Sequence, residues 1–126
     1  MSKEIIATKN APGAIGPYSQ ANKVGNLVFT SGQIPLDPAT GKLVDEDIKK
    51  AATQVFENLK AILEEAGSSL DKVVKTVVYL KDINDFAAVN EVYATYFTSN
   101  YPARSCFQVG KLPLDAKLEV EAIAEV

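Results

Sequence analysis

Near the end of the chain, Arg104 and Cys106 stand two residues apart in PARSC, and Glu119 and Glu121 stand two apart in KLEVEAIA. A spacing of two places each pair on one face if both segments are strands. An arginine can hold a planar anion through paired N–H donors. A carboxylate that is partly desolvated can act as a base near neutral pH. If the two strands pair as a hairpin, arginine and glutamate come within one or two residues of each other, with the thiol between them. Tyr18 closes the loop APGAIGPY, Ser31 and Gly32 end the run NLVFTSG, and Asn90 lies in AAVNEVY. Each residue also has a plainer reading. Strand Arg and Glu are most often solvated or paired with each other. A lone cysteine is most often a small buried hydrophobe. Tyr18 can simply pack, Ser31 can serve the turn, and Asn90 can sit on a helix surface.

The side-chain inventory narrows the chemistry. The 126 residues include no histidine and one cysteine. A His-based triad and the usual His/Cys zinc sites are excluded, and no EF-hand loop is present. Acid–base work falls to Asp, Glu, Lys, Tyr or Cys. The formal net charge is −3, which argues against nucleic acid as the main partner, because phosphate binding needs clustered Lys and Arg. No apolar run approaches the ~20 residues of a membrane span. The start MSKEIIATKN lacks the apolar core of a signal peptide, and one cysteine suits a reducing compartment. A cytoplasmic protein is expected.

The elements that would position these residues follow from periodicity. One domain, residues 1–126, is expected from the length. Residues 4–8 read as a short edge strand and 26–32 as a strand with Leu27, Phe29 and Ser31 on one face. The turn-rich segment 35–42 reads as an exposed loop. Residues 46–66 read as a helix, with apolar positions from Ile48 to Ala66 at helical spacing, acidic residues at its start and Gly67 as its stop. The segment 73–81 is apolar on both faces and reads as a central strand. A second helix, capped by Asn84 or Asp85, carries the stripe Phe86, Val89, Tyr93, Tyr96 and Phe97, and ends before Pro102. In 103–109, the set Ala103, Ser105, Phe107 and Val109 is expected beneath the helices, with Arg104 and Cys106 on the far side. In 118–126, Leu118, Val120, Ala122, Ala124 and Val126 are expected inward and Glu119, Glu121, Ile123 and Glu125 outward. The order predicts an α+β fold: one mixed sheet with two helices on one face. The other face is too apolar to stand in water, so other subunits are expected to cover it.

Several stretches carry a resemblance. AIGPYSQA (14–21), TSGQIP (30–35), VKTVVYLKDINDFAAVNEVY (74–93), YPARSC (101–106) and KLEVEAIA (117–124) fall in order across nearly the whole chain. Together they resemble the RidA family, also called YjgF/YER057c/UK114. The arginine of PARSC and the glutamate of LEVEAIA resemble its enamine/imine deaminase branch. The resemblance implies a chorismate-mutase-like α+β fold and a homotrimer whose sheets form a central barrel, with active sites between subunits. It implies hydrolysis of 2-imino acids, or their 2-aminoacrylate and 2-aminocrotonate tautomers, to 2-keto acids and ammonia, without cofactor or metal. Such reactive intermediates leak from pyridoxal-phosphate-dependent dehydratases. By motif, Arg104 matches the carboxylate clamp and Glu119 the residue that activates water. Cys106, Tyr18, Ser31 with Gly32, and Asn90 match the pocket wall, in part from a neighbouring subunit. FTSNYPARSC looks shorter than in some relatives. Relatives have also been called endoribonucleases or translation inhibitors, a role the missing histidine and basic stripe disfavour. A trimer that binds small carboxylates without turnover is the other alternative.

Overall fold

The computed structural model describes residues 2–126. Six strands form one mixed sheet in the order β1-β2-β3-β6-β4-β5. The strands are β1 (Glu4–Ile6), β2 (Ala21–Val24), β3 (Leu27–Thr30), β4 (Val73–Leu80), β5 (Ala103–Gln108) and β6 (Leu118–Glu125). Two helices, α1 (Ile48–Glu65) and α2 (Phe86–Tyr96), pack together on one face. This is the expected α+β arrangement.

Local chemistry explains most of the boundaries. The Asp47 carboxylate accepts from Lys50 N at 2.8 Å and caps α1. Gly67 follows at φ +83, a left-handed turn that ends the helix. Asp85, one of the two expected caps, holds the N-cap position of α2, but its side chain makes no capping hydrogen bond. Asp82 Oδ1 accepts from Asn84 N at 2.9 Å and caps a 3-10 turn, Ile83–Asp85, which leads into α2. Strand β2 is a further element that the apolar pattern did not mark. Gly25 and Asn26 turn it back on β3, with Gly25 at φ +58.

β6 and β4 form the centre of the sheet. Along β6, Leu118, Val120, Ala122 and Ala124 are buried and alternate with less buried residues. They meet Val55, Phe56, Leu59, Ile62 and Leu63 of α1, all fully buried. That interleaving of strand and helix side chains is the core, and burying each large aliphatic side chain contributes roughly 1.5–3 kcal/mol.

The expected hairpin of 103–109 with 118–126 does not form. β4 lies between them, antiparallel to β6 and parallel to β5. A parallel pair needs a long crossover, and residues 81–102, containing α2, supply it. The register then reverses the faces assigned to β5. Arg104 stands opposite Thr76, which is opposite the buried Ala122, so Arg104 looks toward the helices. Cys106 and Gln108 share that side. Ala103, Ser105 and Phe107 point away, and Phe107 is 45% exposed. An edge strand has core on only one side of its ladder, so its apolar residues say little about which face is inward.

The face away from the helices has no layer over it among the described residues. It carries Phe29 at 41% exposure, Phe107, Tyr79 and Ile123, interspersed with Glu119 and Glu121. Among the described residues, no helix is long and apolar enough to cross a membrane.

Candidate functional site

The sequence-predicted residues fall into two groups, on opposite faces of the sheet. The first surrounds Glu119. The loop before β2 is tied down by the buried Gln20 side chain, whose Nε2 donates to Pro12 O at 2.7 Å and Thr8 O at 3.1 Å. Gln20 Oε1 accepts from Thr8 N at 2.6 Å. These bonds hold the loop that presents Tyr18. Ser31 is fixed at both ends: its hydroxyl donates to Ser19 O at 2.5 Å and its N–H to Gln20 O at 2.8 Å.

Beyond β3 the chain crosses β6 through a two-bond bridge. Gln33 N donates to Val120 O at 2.8 Å, and Val120 N donates to Gln33 O at 3.1 Å. This lays Gly32 directly beneath the Glu119 carboxylate. A Cβ at residue 32 would stand 2.7 Å from Glu119 Cδ and run into Oε2. The φ of residue 32 lies outside the left-handed region, so what glycine provides here is room for the Glu119 carboxylate, which any larger side chain would push aside. Tyr18, Ser31, Gly32 and Glu119 line one cleft of about 360 Å³, whose other walls include Ile15, Ile34, Leu36 and Pro113. Glu119 is half-buried. Desolvation first, and the neighbouring Glu121 charge second, hold its carboxyl above the usual carboxylate range.

The second group surrounds Arg104. Its Nη1 donates to Asn90 Oδ1 on α2 at 2.7 Å. The guanidinium lies over the Tyr93 ring, 4.7 Å from its centroid, and 5.3 Å from that of Phe86. Tyr93 is held in turn by a 2.8 Å hydrogen bond between its hydroxyl and Thr76 Oγ1. Asn90 and Tyr93 are three apart on one helix face. A cleft of about 390 Å³ opens here, lined by Asn90, Tyr93, Phe97, Tyr101 and Arg104. Cys106 follows on the same side of β5, partly buried against the core. Burial pushes its thiol up, and Arg104 offsets this only in part. The thiol form is favoured, which makes Cys106 a poor nucleophile.

The two groups have complementary chemistry. One offers a cation with free N–H donors, and the other a carboxylate that can accept a proton. Within one chain they cannot meet, because the sheet lies between them. A larger groove, about 590 Å³, runs along α1 near Asp37, Gln54 and Glu64. It includes Thr8, which bonds Gln20, but none of the sequence-predicted site residues. Two aromatic partners of Arg104, Phe86 and Tyr93, read in the sequence only as core stripe. Their spacing to Asn90 was visible, but their partner on β5 depended on the parallel register.

The family described as Endoribonuclease L-PSP matches residues 8–126. The chain belongs to this family. It is the YjgF/RidA family to which the motifs pointed. A RutC family protein of Pyrococcus abyssi is 60% identical over 124 residues, 98% of each chain. The 2-iminobutanoate/2-iminopropanoate deaminase of Salmonella typhimurium is 55% identical over 127 residues, again 98% of each. Among solved structures, E. coli TdcF with bound serine superposes with a TM-score of 0.94 at 50% identity, covering 98% of each chain. The YjgF/RidA fold expected from the motifs is the fold found.

Proposed function

We propose that the protein is an enamine/imine deaminase, hydrolysing 2-imino acids to 2-keto acids and ammonia in a site shared by two copies of the chain, the Arg104 cleft of one meeting the Glu119 cleft of the next. The observation that carries this reading is Glu119 itself: a half-buried carboxylate lying close over Gly32 and inclined to take a proton. The 55% identity to a named deaminase supports the substrate class. A homotrimer with a closed ring of such contacts would also cover the exposed face carrying Phe29 and Phe107.

In this mechanism Arg104 receives the substrate carboxylate through two parallel N–H···O bonds while Asn90 and Tyr93 hold the guanidinium. Tyr18, Ser31 and the backbone near Gly32 and Cys106 shape the pocket. Glu119 takes a proton from water as the water oxygen bonds to the iminium carbon, and the C=N electron pair moves to nitrogen. Glu119 then returns the proton to nitrogen. The C–N bond breaks, ammonia leaves with the electron pair, and the hydroxyl proton passes to Glu119 as the carbonyl forms. The iminium is already electrophilic, so positioning and one weak base supply the chemistry. The direct test makes the imine in place with a serine or threonine dehydratase, semicarbazide competing for it. Added protein should accelerate keto-acid formation; no acceleration by folded protein with either dehydratase would reject the proposal.

A second reading, a small-carboxylate binder without turnover, is favoured by the serine bound to TdcF. It needs Arg104 but tolerates Glu119→Gln.

A further inference from the structure

Strand β4 places Tyr79 directly opposite Glu119, on the same face of the sheet. Its hydroxyl does not bond Glu119. It donates instead to Oε1 of Glu121, the next residue along that face. The Tyr79 ring is held from the other side by Phe107 of β5, at 5.3 Å between centroids and an 84° angle between planes. Three strands thus pin one carboxylate beside another. The expected repulsion between two like charges two residues apart is not relieved by a cation placed between them. The charged and titratable groups on this face are Tyr79 and Lys75 on β4, and Glu119, Glu121 and, at the far end of the strand opposite Leu27, Glu125 on β6. β5 contributes Ala103, Ser105 and Phe107, β3 contributes Phe29, and the loop beside the cleft contributes Tyr18. Lys75 stands opposite Ile123, past Glu121 and away from Glu119. Arg104 of the same chain is on the other face, and in the shared site proposed above the Arg104 of a second copy faces Glu119 alike in wild type and in variants of Glu121 or Tyr79.

We propose that Glu121, clamped by the Tyr79 hydroxyl, is a positioning residue that fixes the electrostatic environment of Glu119. The clamp keeps the Glu121 carboxylate from swinging into solvent, where water would screen it. Glu119 therefore always works beside a fixed negative charge, and this makes it a stronger base for water. Tyr79 remains a donor throughout the working range, because the bond to Glu121, reinforced by burial, pushes its hydroxyl up to about 12. The inference rests on Glu119 being the base, as proposed above.

The test separates the two ideas. Glu119 is titrated directly by carboxyl-carbon NMR in the full-length protein with labelled glutamate, its resonance assigned by its loss in Glu119→Gln. Wild type is compared with Glu121→Gln and Tyr79→Phe, both near-isosteric. In the same variants the pH profile of keto-acid release is measured with dehydratase-made imine. The expected result is a downward shift of the Glu119 midpoint in Glu121→Gln, and a smaller shift in the same direction in Tyr79→Phe. The acid limb of the rate profile moves down in step, while the plateau rate falls because the base is weaker. A Glu119 midpoint unchanged in Glu121→Gln overturns the inference, whether or not the protein is a deaminase. A shifted midpoint in a protein without deaminase activity upholds the electrostatic coupling and rejects the function instead.

Discussion

Arg104 and Glu119 lie two strands apart on opposite faces of one sheet. Arg104 stacks toward α2 over Tyr93, and Glu119 faces away from the helices over Gly32. In the proposed mechanism the two serve one small substrate, so a second copy of the chain must bring the missing half. This relationship governs what each substitution should do.

Replacing Glu119 with glutamine removes the base but keeps the shape. The expected loss in kcat is about 10²–10⁴-fold, with little change in KM. The wild-type pH profile carries the matching sign. Glu119 must be ionised to accept a proton, and its raised carboxyl needs a higher pH to ionise than an ordinary glutamate. Activity should therefore fall on acidification while pH is still above the usual carboxylate range. A rate independent of pH through that region would remove Glu119 from the mechanism.

Gly32→Ala should act on the same carboxylate by contact. The added methyl needs the space that Glu119 Cδ and Oε2 occupy. Residue 32 has an ordinary φ, so the backbone tolerates alanine and the fold should persist. We expect unchanged circular dichroism and a loss of kcat of about 10-fold or more, as a displaced base is costly. Full activity in Gly32→Ala would mean that the Glu119 carboxylate can move aside without loss of function.

Arg104→Lys keeps the charge but loses the planar fork, and with it the stack on Tyr93 and the Asn90 bond. One charge-assisted hydrogen bond is worth about 1.5–3 kcal/mol. The corresponding rise in KM for imino acid is about 10–100-fold. Arg104 is exposed, so the melting temperature should move little. A large loss of stability with normal KM would recast Arg104 as structural.

Thr76→Val tests the support beneath the clamp. Thr76 is fully buried, and its hydroxyl is bonded to Tyr93. Valine strands the Tyr93 hydroxyl, at a cost of about 1–3 kcal/mol. Denaturant titration should show that loss, and adding Tyr93→Phe should recover part of it by removing the orphaned group. Additive losses in the double variant would show that the bond contributes nothing.

Much of this fold can be read along the chain, and the failures share one cause. The alternation in 118–125 assigns inward and outward residues correctly, because β6 is central and its Leu118, Val120, Ala122 and Ala124 must meet α1, while Val126, also expected inward, lies past the strand end and is exposed. Helix α1 is equally plain, through its apolar stripe, Asp47 and Gly67. Strand β5 fails because its ARSCFQ alternation lacks a clear apolar side, so the choice of face rests on the neighbour, and the assumed neighbour was β6. The parallel register with β4 is a long-range fact with no local signature. Strand β2 is short and polar, and only the Gly25–Asn26 pair marks its turn. The residues proposed for the site can each be picked out by type and motif. That they form two clusters, and that Phe86 and Tyr93 hold the guanidinium, cannot be read that way.

The most direct measurement is recovery of activity by mixing. Arg104→Ala and Glu119→Gln proteins, each inactive alone, are denatured together in equal amounts and refolded. If each site takes Arg104 from one chain and Glu119 from the next, random assembly restores about a quarter of the wild-type sites, because half of each partner is intact. Dehydratase-coupled keto-acid release should then reach about that fraction. Activity that stays at the level of the separate variants, from mixed and correctly assembled protein, would contradict a site shared between two copies.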